Sequence, residues 1–143
     1  MPTRNNVSQL EHDGVVRTSS RTYGKMEEKG YLVSVNPDGE KNRYVGGELN
    51  PRYPDVIVWL PDKPGSSSGK AAIIEEIETA DSVTAGESKQ WKDYGSLGIK
   101  FLLIVPRGYA KEAADIADSE NVNVTEIWVY YSEGGNIKFE KYR

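Results

Sequence analysis

The stretch that most constrains the fold of this chain is Phe101-Leu102-Leu103-Ile104-Val105, five apolar residues in succession, closed by Pro106. Successive strand side chains point to opposite faces. An unbroken apolar run therefore predicts a strand buried on both faces, in the centre of a parallel or mixed sheet covered by helices. The run is far shorter than the ~20 residues needed to cross a bilayer. With 143 residues the chain is sized for one domain, 1–143. Its 37% hydrophobic content is enough to exclude disorder and to build a core without staples.

Around that strand the pattern predicts an ordered series of elements. Residues 1–15 are largely polar and read as loosely held. Arg17 to Lys29 reads as a helix with Tyr23 and Met26 on its apolar side, stopped by Gly30. Tyr31 to Val35 is β-rich, and Asn36-Pro37-Asp38-Gly39 is a turn. Lys41 to Leu49 reads as a return strand interrupted by Gly46-Gly47. Asp55 to Leu60 and Ala71 to Glu78 are strands, joined by a hairpin loop over residues 61–69. A helix is expected from about Ser82 to Leu97, with Gly98 suited to a left-handed cap. Ile99 to Val105, a helix from Tyr109 to Ser119, and strands from Thr125 to Tyr131 and Ile137 to Tyr142 complete the order. Three strands in succession followed by alternating helix and strand predict an α/β domain with a central mixed sheet between two helical layers, a three-layer α/β/α arrangement.

Composition narrows the chemistry. The chain has no cysteine, which excludes disulfides, thiolate zinc sites and cysteine nucleophiles. Its single histidine, His12, excludes a two-histidine metal site and reads as a bystander in a polar terminal segment. A net charge of −4 argues against general polyanion binding, so any nucleic-acid contact must use a local basic face. The polar N-terminus carries no secretory signal, and the expected setting is cytoplasmic, away from membranes. Gly65 to Gly69 lacks the spacing of a phosphate loop, and no GxSxG supports a serine triad. Trp59, Trp91 and Trp128 sit among apolar neighbours and read as core.

The informative residues are acidic and lie within apolar strands. Asp55 opens one strand, and Glu75, Glu76 and Glu78 lie in the string AAIIEEIET. By strand alternation Glu76 and Glu78 share a face, and Glu75 takes the other. If the two strands pair as a hairpin, Asp55 and Glu76 approach one another. Converging carboxylates repel unless a hard cation neutralises them, and Mg²⁺ suits such an oxygen-only environment. The competing reading is that these glutamates are simply a solvated strand face.

Pro54-Asp55, a hairpin, and then Glu76-Ile77-Glu78 resemble the PD-(D/E)xK, or restriction-endonuclease-like, nuclease superfamily. The predicted order contains the family's αβββαβ core plus a C-terminal αβ extension. Gln90-Trp91-Lys92-Asp93-Tyr94 is similar to the QxxxY motif of the RecB-like branch, with Gln90 and Tyr94 one turn apart. The resemblance implies a Mg²⁺- or Mn²⁺-dependent, endonuclease-like hydrolase acting on DNA. It implies Asp55, Glu76 and the carbonyl of Ile77 as metal ligands, with Gln90 orienting water or phosphate and Tyr94 packing beside the site. Glu78 departs from the family's lysine. By the resemblance, Lys89 or Lys92 would replace that charge, or Glu78 would hold a second metal. The rival expectation is a catalytically inactive nuclease-like module that binds nucleic acid or a protein.

Arg17, Arg21, Lys25 and Lys29 recur every four residues and would form a cationic stripe for phosphates along one continuous helix. The bland alternative is an ordinary solvated helix face. Pairing as a homodimer is a further expectation, since relatives that cut both strands often do so.

Overall fold

The computed structural model describes residues 5–63 and 66–143, with the side chain of residue 38 left aside. Six strands form one mixed, strongly curled sheet in simple order, β1 (Leu32–Val35), β2 (Val56–Lys63), β3 (Ser66–Ile77), β4 (Lys100–Pro106), β5 (Glu126–Glu133) and β6 (Asn136–Lys141). β1, β2 and β3 are antiparallel neighbours, β3–β4 and β4–β5 are parallel, and β6 closes the sheet antiparallel to β5. Among the described residues four α-helices accompany it: α1 (Asn6–Arg21), α2 (Gly24–Glu28), α3 (Ser88–Gly95) and α4 (Ala110–Ser119). The fold is thus α/β with a mixed sheet, as expected.

β4 justifies its sequence. Phe101, Leu103 and Val105 enter one core with Trp91 and Tyr94 of α3 and the alanines of α4. Leu102 and Ile104 point the other way, Ile104 into a core with Val15 and Val16 of α1. The hairpin of β2 and β3 is longer than expected, because the serine-rich stretch after residue 65 is paired strand. Pro64 and Gly65, within the expected loop, lie outside the described residues.

The N-terminal region differs most from expectation. Asn5 caps α1 by accepting a bond from Ser8 N–H at 2.8 Å, so the helix begins at Asn6 and most of residues 5–15 is helical, not loose. Residues 1–4 of that stretch lie outside the described residues. The buried face of α1 is His12, Val15, Val16 and Ser19, spaced as i, i+3, i+4 and i+7. Val15 and Val16 are fully enclosed, each contributing about 1.5–3 kcal/mol. Two of the four positions are polar, which hid the helix from hydrophobic periodicity.

The expected single helix over 17–29 is broken at Thr22 and Tyr23. Thr22 turns its N–H and hydroxyl back onto Ser19 O, and Tyr23 swings inward so that its hydroxyl donates to Glu75. Arg17 and Arg21 therefore stand on α1, and Lys25 and Lys29 on or beside α2. All four are exposed, but they do not form one continuous stripe.

Two further expectations are corrected. Lys41 to Leu49 is not a strand; it forms a loop with one antiparallel bridge, Val45 with Arg52, beyond which Gly46 and Gly47 both take positive φ. The helix expected from Ser82 begins only at Ser88. Before it, Thr79 and Ser82 form a capping box on a 3-10 turn, a second such turn spans Ala85–Glu87, and Val83 takes a non-helical conformation between them. Gly98 does adopt the left-handed conformation, three residues past the end of α3.

Candidate active site

The antiparallel register sets Val56 opposite Glu75, so Asp55, one residue earlier, meets the end of β3. Its Oδ2 accepts the Ile77 N–H at 2.7 Å and lies 3.1 Å from Nε2 of His12 on α1. Asp55 and Glu76 are both buried and both line a cavity of about 170 Å³. Gln90 and Tyr94 of α3, His12 of α1 and Asn36 of the loop after β1 share its wall. Asp55, Glu76, Gln90 and Tyr94 thus line one cavity.

Tyr94 reports the electrostatics. Gln90 donates to its hydroxyl oxygen at 3.0 Å. Burial, and then the nearby Glu76 and Asp55 carboxylates, push its pKa far up, so the phenol stays protonated and remains a hydrogen-bond donor. Its ring packs edge-on against Phe101, with centroids 5.7 Å apart, which ties the α3 motif to the central strand.

Glu78 shares the face of Glu76 but not its cavity. It is fully buried beneath α3, with Trp91 Nε1 donating toward its Oε1 at 3.5 Å. Lys89 and Lys92 are exposed, and neither lines the cavity. Arg17, Arg21, Lys25 and Lys29 are likewise elsewhere. Positive charge comes instead from Lys41 and Arg52, in the segment between β1 and β2. Arg52 is held by the paired Val45–Arg52 backbone bonds, both 2.8 Å, and by Asp93 of α3 at 3.2 Å.

Two buried side chains anchor that segment, Val45 in the hydrophobic core and Asn36 by hydrogen bonds. The Asn36 amide donates to Arg43 O and Pro54 O at 3.0 and 2.7 Å, and its oxygen accepts from Asn42 and Arg43 N–H at 2.8 and 3.1 Å. Both donor hydrogens and both lone pairs are in use. The Asn-Pro-Asp-Gly turn was legible in the sequence, but the role of its first residue as a loop staple was not. His12 was missed for a different reason: its helix looked polar. Its Nδ1 faces Asp13 Oδ1 at 3.1 Å, so both ring nitrogens meet carboxylate oxygens.

The donor set suits a hard cation. Asp55 and Glu76 supply oxygen, and an imidazole stands beside them. Among the described residues no group of three or more His, Cys, Asp or Glu forms a ready metal cage. Two carboxylates completed by water and a phosphate oxygen are the usual complement for Mg²⁺, whereas Ca²⁺ takes a fuller cage.

On the opposite face of the sheet Glu75 accepts from Ser19 Oγ at 2.6 Å and from the Tyr23 hydroxyl. Burial raises its pKa, against the opposing pull of those two hydrogen bonds. Adjacent glutamates on β3 thus serve two different sides of the molecule. Among the described residues no helix is long and apolar enough to cross a membrane. Comparison with known proteins finds no matching family model, no matching curated protein and no matching solved structure.

Proposed function

We propose that this chain is a metal-dependent phosphodiesterase acting on DNA, built on a three-layer, restriction-endonuclease-like plan. The observation that carries the reading is the convergence of Asp55 and Glu76, from two antiparallel strands, on one cavity that also receives Gln90 and Tyr94. The placement of α1 and α3 against opposite faces of the sheet supports the architecture. Asp55 and Glu76 would hold Mg²⁺ or Mn²⁺. In an extended strand a residue's N–H and C=O share an edge, so the Ile77 carbonyl faces the side on which its N–H meets Asp55.

When bound, such a cation activates water and neutralises charge on a phosphodiester in the transition state. The protein supplies the remainder. Gln90, oriented by Tyr94, positions the attacking water or a phosphate oxygen. Lys41 and Arg52 contribute the positive charge that Glu78 does not, so the loop between β1 and β2 takes over the task of the family's motif lysine. His12 fixes the Asp55 carboxylate from α1. Glu78 acts as a buried support under Trp91 and is not a metal ligand in this scheme.

Cleavage of labelled DNA in Mg²⁺ or Mn²⁺, abolished by EDTA and by Glu76→Gln, is the expected outcome. Undiminished cleavage by the Asp55→Ala, Glu76→Ala double variant removes these residues from the chemistry. A second reading, a nuclease-like module that binds without cutting, draws support from the burial of Glu78 and the outward position of Lys89 and Lys92. It is selected by salt-sensitive DNA binding with no metal-dependent cleavage of any DNA or RNA.

A further inference from the structure

We infer that the loop from Glu40 to Tyr53 is a grip for single-stranded nucleic acid, which narrows the substrate class of the phosphodiesterase reading on which it rests. The loop carries Lys41, Arg43 and Arg52 against Glu40 and Glu48, an excess of positive charge in a chain whose net charge is −4. Its cations are interleaved with aromatic rings. The Arg43 guanidinium lies over Trp59 at 4.6 Å, the Lys41 ammonium lies 5.5 Å from the Tyr53 ring centroid, and Tyr44 meets Tyr53 edge-on at 6.0 Å. Arg43 and Tyr44 are both exposed, so a guanidinium and a phenol ring are accessible from solvent.

The loop also joins two cavities. Glu40, Lys41, Arg52 and Tyr53 line the acidic cavity, and the next residues, Asn42, Arg43 and Tyr44, line a neighbouring cavity of about 390 Å³ floored by Trp59. The lining beneath a strand on Arg43 and Tyr44 thus continues, from Asn42 to Lys41, into the wall of the cavity that holds the carboxylates. Flat cationic and aromatic surfaces gain energy from the face of a base, and a duplex hides those faces within its own stack. A duplex reader needs phosphate contacts and groove-reaching side chains, whereas this loop sets ring faces among its cations. The Asn36 staple and the Val45–Arg52 bridge hold the loop before any ligand arrives, which lowers the ordering cost of binding.

The test measures binding apart from cleavage. The full chain, in EDTA, is titrated against fluorescein-labelled oligothymidylate, oligouridylate and a duplex of equal length. About twenty nucleotides suffice for site sizes of this kind. Either single strand is expected to bind at least about tenfold more tightly than the duplex. Tyr44→Ala should weaken single-strand binding about fivefold or more and Tyr44→Phe should restore it, as one lost stacking contact requires. Lys41→Gln combined with Arg43→Gln should weaken binding and flatten its salt dependence. Tighter binding of duplex, unchanged affinity in the Tyr44 and Lys41/Arg43 variants, or no binding of any strand overturns the inference. Strand binding without Mg²⁺-dependent cutting leaves it standing while the hydrolytic reading fails. Cutting of duplex alone does the reverse.

Discussion

His12 Nε2 stands 3.1 Å from Asp55 Oδ2, the same oxygen that accepts the Ile77 N–H at 2.7 Å. One carboxylate oxygen therefore joins the first helix, the residue before β2 and the last residue of β3. The single histidine of the chain is a structural partner of the candidate site, although 43 positions separate it from Asp55.

His12→Ala should consequently act on both fold and site. Losing a buried imidazole that lies within ion-pair distance of two carboxylates costs about 1–3 kcal/mol, which urea denaturation would read as a lower midpoint. Any metal-dependent cleavage should fall with it, because Asp55 loses its lateral support. His12→Gln retains one donor and should recover part of both. An alanine variant with an unchanged midpoint and full activity would mean that the contact does nothing.

Asn36→Ala should free the segment from residue 40 to 53 without unfolding the sheet. The amide makes four hydrogen bonds to that segment and to Pro54, and its side chain is buried. Stranding those backbone groups costs about 1–3 kcal/mol. Hydrogen exchange should rise at Asn42, Arg43 and Val45 and remain slow in β4. Asn36→Asp keeps the acceptor and loses the two donors, so it should fall between wild type and alanine. Uniform exchange changes across the whole chain would reject the idea of a local staple.

What could be read from the sequence divides along physical lines. Strand alternation placed Glu76 and Glu78 on one face and Glu75 on the other, and the structure agrees, with Glu75 on the α1 side and Glu76 and Glu78 on the α3 side. The apolar run at 101–105 likewise forms a strand buried on both faces. Periodicity failed where burial serves polar groups. The inner face of α1 contains His12 and Ser19, whose partners Asp55 and Glu75 are far off in sequence. The segment from residue 40 to 53, part of which reads as a return strand, is held instead by one asparagine, one backbone bridge and the buried Val45. Tyr23 shows the same limit, since a pull from Glu75 ends a helix that local propensity would have continued.

Glu75 makes stability depend on pH in a defined direction. Its pKa is raised above the ordinary 4.5, chiefly by burial, with Asp55 adding repulsion while the Ser19 and Tyr23 bonds pull the other way. The folded chain then holds a proton that the unfolded chain releases. Stability from this group is complete below about pH 4.5 and declines as pH rises through the folded value. Tyr23 stays protonated throughout, because burial and Glu75 push its pKa far upward. Lys100 and Glu126 also line the cavity beside Glu75. Glu75→Gln cannot ionise, so in EDTA its stability relative to wild type should improve steadily from pH 4.5 upward. Parallel wild-type and variant curves from urea titrations across that range would exclude an ionisation at this site.

Gly95 tests whether the α3 motif is held in place by backbone packing. It is the last residue of the helix carrying Gln90 and Tyr94, and a Cβ there would come within 2.5 Å of the Asn123 carbonyl oxygen and 3.1 Å of Asn123 C and N. The obstacle is backbone from the segment between α4 and β5, so no flexible side chain can yield. Either α3 lifts from the sheet or residue 123 moves, and overpacking of this kind costs about 1–3 kcal/mol. Gly95→Ala should therefore lower the thermal midpoint and shift Tyr94 relative to Glu76, reducing cleavage as well. Gly86→Ala is the control: only the Thr84 hydroxyl, at 3.6 Å, comes near its Cβ, and its φ is not positive. Equal midpoints for the two variants would show that the segment around Asn123 yields freely and that α3 is positioned by its side chains alone.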